Sequence, residues 1–248
     1  MRKLFAISTL AACAVATPAL AEDGDWTGPY AGVSVGYSAA KSRTDVALGG
    51  NWSTESATLQ SRVVGDWSAN QSADLGVYGG QIGYNYQTSG NLVVGVELDA
   101  AALSGHNDRS FVSTGAPNYT FGNHIDPKAL FTARAKLGFA SGDTLFYAHG
   151  GWAGVKATMS ADVVSSGGYT KEGVIDKTTS GWVAGAGVEH RFGSNMSARL
   201  EYSYVDQGKE VYSSLYRTGS TFVTPAYGET FTQDLRLHVI RLGVNFHF

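Results

Sequence analysis

Ile240-Arg241-Leu242-Gly243-Val244-Asn245-Phe246-His247-Phe248 alternates without a break. Ile, Leu, Val and two Phe fall on one side; Arg, Gly, Asn and His fall on the other. Successive side chains of a β-strand point to opposite faces, so this stretch reads as a strand with one wholly apolar face. Two architectures alternate in this way. A soluble sandwich turns the apolar face to a core and the polar face to water. A transmembrane barrel turns the apolar face outward to lipid and the polar face inward.

Working outward, eight segments of about ten residues alternate, each long enough to cross a bilayer if tilted. They lie at about 30–40, 75–86, 92–101, 130–140, 145–156, 181–192 and 196–205, with the C-terminal segment starting near Leu235. In the third, Val94, Val96 and Leu98 oppose Gly95, Glu97 and Asp99; in the fourth, Phe131, Ala133, Ala135, Leu137 and Phe139 oppose Thr132, Arg134, Lys136 and Gly138. In the fifth, the faces around Gly150-Gly151 cannot be assigned. Tight connections carry turn residues, at Thr88-Ser89-Gly90-Asn91, Ser141-Gly142-Asp143 and Gly193-Ser194-Asn195. Long polar connections are expected at about 41–73, 102–128, 157–179 and 206–234. Short turns at one end and long loops at the other mark bacterial outer-membrane barrels.

Charge placement sets the sense of the alternation. Glu97, Asp99, Arg134, Lys136, Glu189, Arg199, Glu201 and Arg241 stand mid-strand, all opposite the apolar face. A charge on the lipid face at the midplane costs on the order of 2–4 kcal/mol, so an uncharged outer band is required there. Aromatics gather near strand ends, as Tyr30, Tyr84, Tyr86, Phe139, Phe192, Phe246 and Phe248 on the turn side and Trp182, Tyr202 and Tyr204 towards the loops, as interfacial girdles do. The fold expected is all-β: an eight-stranded antiparallel up-and-down transmembrane β-barrel with both termini at the short-turn end.

The N-terminus reads as a secretory signal over 1–21. Arg2 and Lys3 precede an apolar run from Leu4 to Val15, and Ala19-Leu20-Ala21 is an A-x-A cleavage site. A single barrel domain over 22–248 remains. Leu10-Ala11-Ala12-Cys13 also fits a lipobox, which would leave an acylated Cys13; the intact A-x-A site favours cleavage after Ala21. Cys13 is the only cysteine, so the mature chain has no disulfide or thiolate chemistry. Removing Arg2 and Lys3 leaves 16 basic against 21 acidic residues, a net charge of −5, which argues against a nucleic-acid binder. With 32 Gly, 13 Tyr and 11 Phe, composition favours strands over helices. Mean hydropathy is −0.10 and no mature segment has the roughly 18 apolar residues of a spanning helix.

The segments Trp26-Thr27-Gly28-Pro29-Tyr30-Ala31-Gly32, Gly79-Gly80-Gln81-Ile82-Gly83-Tyr84-Asn85-Tyr86, Ala148-His149-Gly150-Gly151, Gly185-Ala186-Gly187-Val188-Glu189 and Leu200-Glu201-Tyr202 resemble the small eight-stranded outer-membrane proteins of alpha-proteobacteria. These are abundant surface antigens often labelled "porin family". The resemblance spans nearly the whole mature chain apart from the long loops. It implies outer-membrane location in a Gram-negative cell envelope, a role in envelope integrity, and no catalytic residues. The terminal aromatics Phe246 and Phe248 are similar to the signal by which the barrel-assembly machinery recognises its clients.

An eight-stranded barrel has an interior that side chains just fill. The inward charges are therefore expected to pair and plug the lumen, with Arg241 facing Glu201; a narrow or gated ion path along the same residues is the alternative. No Ser-x-His or Gly-x-Ser-x-Gly arrangement sets a nucleophile beside a base, so no enzyme, cofactor or metal site is expected. His106 and His124, in the second long loop, are most simply solvated. Trp52, Trp67, Phe111, Tyr119, Tyr169, Tyr212, Tyr216 and Phe222 fall in the expected loops, where aromatics mark binding surfaces and make surface adhesion a second function class. The other reading of 212–231 is an extension of the last hairpin above the membrane.

Overall fold

The computed structural model describes residues 25–115 and 118–248. The expected signal segment, with Cys13 and the cleavage site, lies outside the described residues. The strands β1 (Gly28–Gly50), β2 (Ala69–Gln87), β3 (Leu92–Ser104), β4 (Asn107–Ser113), β5 (Tyr119–Ser141), β6 (Thr144–Ser165), β7 (Thr170–Arg191), β8 (Met196–Ser213), β9 (Leu215–Tyr216) and β10 (Tyr227–His247) form one antiparallel sheet. Eight of them close into a ring: β10 pairs with β1, and the gap across β4 is closed by β3 pairing with β5. The short β4 and β9 only append to β5 and β7. No helix among the described residues is long and apolar enough to cross a membrane.

The tight turns form as their residues dictate. Ser141 pairs with Thr144 across a two-residue turn. Gly142 sits there at φ 57°, the glycine slot of a type II′ hairpin, whose twist matches the flanking strands. The first described residues and Phe248 lie at the short-turn end of the barrel, the periplasmic end of such proteins.

The outward face carries the apolar band. Val33, Val35, Ile82, Val96, Leu98, Leu137, Leu200, Leu242 and Val244 are all exposed, and no charged residue stands among them. Tyr37 pairs with Ile240 and Trp152 with Trp182 at its upper edge. From Ile240 to Phe248 the band is roughly 20 Å tall, taking about 3.3 Å per residue and a tilt near 40°, close to the ~25 Å apolar band of such barrels.

The expected long loops are largely sheet. β1 continues to Gly50, β5 starts at Tyr119, β6 runs to Ser165 and β10 starts at Tyr227. Above the band the outward residues become Lys41, Arg43 and Asp45 on β1 and Arg236 on β10, while Ser42, Thr44 and Val46 point inward. On β6 the alternation inverts at this height, Val155, Ala157, Met159 and Ala161 pointing inward and Lys156, Thr158, Ser160 and Asp162 outward, so the strand continues with its apolar face turned to the lumen; on β1, with Ser42 and Thr44 inside, both faces are polar. Counting from Ile240 up to Tyr227, the barrel rises roughly 33 Å beyond the band on the same rise and tilt.

Within the expected 41–73 loop, a single 3-10 turn (Asn51–Thr54) leads to a helix, α1 (Ala57–Trp67). Ser56 caps it, its hydroxyl accepting from the Leu59 amide at 3.2 Å. Val63 and Trp67, four residues apart and so on one face, point down into the mouth of the barrel.

Candidate functional site: the barrel lumen

At the level of the lipid band the inward side chains are ionic and buried. Glu97 (1% exposed) accepts from Tyr30 Oη and from Arg199 Nη1, each at 2.7 Å, and also contacts Arg134 Nη2. Glu201 accepts from Arg134 Nη1 at 2.7 Å, Tyr147 Oη at 2.9 Å and Arg241 Nη2 at 3.1 Å. Arg241 Nη1 reaches Asp99 at 2.7 Å. Glu189 accepts from Asn245 Nδ2 at 2.8 Å and lies 3.9 Å from Lys136 Nζ. Lys136 donates to Tyr30 Oη at 3.0 Å and stands over the Tyr147 ring at 4.5 Å.

Strand alternation explains this meeting. β3, β5, β8 and β10 each aim every second residue inward, and register sets Glu97 opposite Arg134 and Arg241 opposite Glu201. The four carboxylates Glu97, Asp99, Glu189 and Glu201 thus meet the four cations Arg134, Lys136, Arg199 and Arg241, and their formal charges cancel. Four such pairs out of water each carry a desolvation cost, which close geometry and shared hydrogen bonds offset. Below them Trp26 seals the periplasmic end, fully buried, with Arg191 over its ring at 4.3 Å.

Sequence reasoning missed what lies above. Ala40, Leu75, Val77, Leu103, Ile125, Leu130, Val155, Met159, Val183, Val205, Leu235 and Leu237 fill the next stretch of lumen as an apolar core. This also answers the unassigned faces of the fifth expected strand, β6. Leu145, Tyr147, His149, Gly151, Ala153 and Val155 point inward, and Phe146, Ala148, Gly150 and Trp152 outward. The inward face mixes Leu145 and Ala153 with Tyr147 and His149 of the ionic layer, and glycine stands on both faces at Gly150 and Gly151, so the sequence shows little contrast.

The mouth is closed by aromatics expected to be exposed in loops. Trp52, Trp67, Tyr119, Tyr169 and Tyr212 are buried, and only Phe111 and Phe222 of that set are exposed. Burial wins because the extended sheet encloses them. Trp67 of α1 stacks on Phe121 at 5.0 Å and meets Phe231 edge-on at 4.9 Å. A separate buried ion pair anchors this cap: Lys171 Nζ lies 2.6 Å from Glu229. Glu229 also accepts from Trp52 Nε1 at 2.6 Å and Tyr169 Oη at 2.5 Å. Burial, and then the charge of Glu229 and its hydrogen bond, push the Tyr169 phenol well above its ordinary pKa. The residue signal was present: Ser56 as a cap and the Leu59, Val63, Trp67 spacing announce an amphipathic helix.

Two Ser–His contacts lie in the lumen. Ser203 Oγ is 3.4 Å from His149 Nε2, and Ser197 Oγ is 2.9 Å from His247 Nε2. In each, the neighbouring carboxylate faces the same nitrogen, Glu201 at 3.8 Å and Glu189 at 3.3 Å. A nucleophilic relay needs serine and acid on opposite ring nitrogens. Gly32-Val33-Ser34-Val35-Gly36 has the spacing of a nucleophile motif but runs straight within β1, without the strand-to-helix elbow. His106 and His124 both contact Asp108 on the outer surface, and no group of three or more side chains converges as metal ligands among the described residues.

The model of the outer membrane protein beta-barrel domain matches residues 7–248. The chain is 28% identical over 254 residues to the 31 kDa outer-membrane immunogenic protein of Brucella melitensis biotype 1, covering 99% of this chain and 95% of that protein. It is 32% identical over 137 residues to the 22 kDa outer membrane protein of Rhizobium leguminosarum, 54% of this chain and 55% of the relative. Among solved structures, the outer membrane protein OprG of Pseudomonas aeruginosa is similar with a TM-score of 0.44 and 13% identity, covering 91% of this chain and 99% of that one. A closed ring with a charge-free outer band, carrying the family's match along its length, has one reading: this chain belongs to the outer membrane protein beta-barrel domain family, in the bacterial outer membrane.

Proposed function

We propose that the protein is a closed, non-enzymatic barrel that serves envelope integrity and presents a rigid surface outside the cell. The observation that supports this most is the filled lumen. Trp26, the ionic layer, the apolar core and the aromatic cap succeed one another from the periplasmic to the outer end. An ion crossing this lumen would have to displace paired charges and then enter an apolar stretch, where charge is strongly disfavoured. The absence of relay geometry at either Ser–His contact supports the non-enzymatic part. Planar-bilayer recording of the refolded mature protein tests it, with heat-modifiable gel migration as the folding control. The expected result is no steady conductance; steady steps altered by Glu97→Gln or Arg134→Gln would establish the narrow pore instead. Delivery through the barrel-assembly machinery, with Phe246 and Phe248 as its signal, belongs to the same proposal; Phe248→Ser should lower the amount assembled in cells.

Surface adhesion is the second reading. Val211, Leu215, Phe222 and Val223 are exposed far above the lipid band, Leu215 at 75%. Apolar side chains there have neither lipid nor core to meet, as at contact surfaces. Deleting 209–230 would strip Tyr212 and Glu229 from the cap, so substitution of Leu215 and Phe222 by Ser is the cleaner probe of surface binding. Unchanged binding removes this tip from consideration.

A further inference from the structure

We propose that the outer mouth holds a binding site for a quaternary ammonium group. A cavity of about 270 Å³ opens there, walled by Trp52, Tyr119, Tyr169, Tyr227 and Phe222 with the Glu55 carboxylate among them. Three of its rings meet at near right angles: Trp52 with Tyr169 at 88°, Trp52 with Tyr227 at 77° and Tyr169 with Tyr227 at 75°. Such edge-to-face packing fixes each ring by its neighbours. It offers a rounded aromatic corner rather than one flat platform.

The polar ends of these rings are already engaged. Trp52 Nε1 and Tyr169 Oη donate to Glu229, and Tyr227 Oη donates to Glu55 at 2.5 Å. What the rings have left to offer a ligand is π surface. That surface attracts cations, most strongly where water is excluded, and suits an ammonium whose methyls need no hydrogen bonds. One ring already does this, since the Arg62 guanidinium lies over Tyr119 at 5.9 Å. Of the nearby charges, Lys171 behind the wall is matched by Glu229 at 2.6 Å, Arg62 stands over Tyr119, and Glu55 is the carboxylate on the cavity wall beside Tyr227. The volume falls just below the ~300–1,000 Å³ of sites for drug-sized ligands, so it fits a headgroup and not an oligosaccharide. The site stands above the closed lumen and is independent of whether that lumen conducts.

Calorimetry of the refolded protein in a polyoxyethylene detergent, free of choline and sugar headgroups, tests this with choline as the probe. Its neutral isostere 3,3-dimethylbutan-1-ol is the control. Choline should bind at least about tenfold more tightly than the isostere, because only the charge differs. Glu55→Gln and, separately, Phe222→Ala should each weaken choline several-fold while gel migration stays heat-modifiable; Phe222 is 62% exposed, so its loss does not threaten folding. Phosphocholine distinguishes the sources: comparable binding points to a lipid headgroup, and choline alone to a free solute. Equal affinity for choline and the isostere would overturn the proposal. So would binding of phosphocholine or methyl glucoside without choline, or no heat of choline binding at all.

Discussion

Glu97 accepts from Tyr30 and Arg199, contacts Arg134 and has Lys136 at 3.6 Å, so its carboxylate compensates several cations that cannot reach water. Glu97→Gln keeps the volume and removes the charge. Leaving buried cations uncompensated costs about 3–5 kcal/mol, and that loss should appear as a lower urea midpoint in the gel-migration assay. An unchanged midpoint would mean the layer is wet enough to screen itself. Tyr169 makes a different prediction, with a sign. Its phenol is raised above the ordinary value of 10.0, by burial first and by Glu229 next. Above pH 10 the unfolded chain releases this proton and the folded chain keeps it, so stability falls as pH rises. Tyr169→Phe should flatten the fall above about pH 10; identical slopes for both proteins there would refute the role of this side chain.

At the scale of elements, α1 and β6 carry the contrast between what was readable and what was not. The lipid-band strands and tight turns are legible because their two faces differ in kind, apolar against charged or glycine. The same contrast places the ionic residues on the inner face from sequence alone. It fails around Gly150-Gly151 of β6, where the inner face mixes Leu145, Tyr147, His149 and Ala153, and above the band, where the sense inverts and apolar residues line a core inside a polar wall. The cap was hidden further, because Trp52, Trp67 and Tyr169 look like loop aromatics until the sheet encloses them. The helix is a cap over layers already closed. Trp67→Ala should therefore cost about 3–5 kcal/mol through the cavity it leaves, measured by urea unfolding. Replacing Ala57–Trp67 by a Gly/Ser linker should still leave bilayers electrically silent, because the apolar and ionic layers persist below. Gly151 sets a tighter limit in β6. A Cβ there would lie 2.1 Å from the Ala133 carbonyl oxygen. Gly151→Val should sharply reduce the refolded fraction on gels, whereas Gly142, with open space around it, tolerates a side chain sterically but strains its φ of 57°.

As a whole molecule the barrel stands well clear of the membrane, the β1–β10 ladder running up to Gly50 and Tyr227 while the β7–β8 ladder ends at Trp182 and Asp206. Trypsin needs chain that can leave its neighbours, and ladder segments cannot without local unfolding. On intact cells the first cut should follow Arg217, which lies between β9 and β10, and not Lys41 or Lys156 within paired strands. Mass spectrometry of the released peptides decides it; early cleavage after Lys156 would show that the upper ladders open. The same tall wall governs what an antibody can see. Along this part of β1, Lys41, Arg43, Asp45 and Ala47 face out, while Ser42, Thr44 and Val46 are hidden. Beside Arg43 sits Asp234, 191 positions away in the chain. Epitopes on the living cell are thus patchworks of alternate residues drawn from adjoining strands, and sera raised against linear peptides of this region should bind the denatured antigen and pass over the native one.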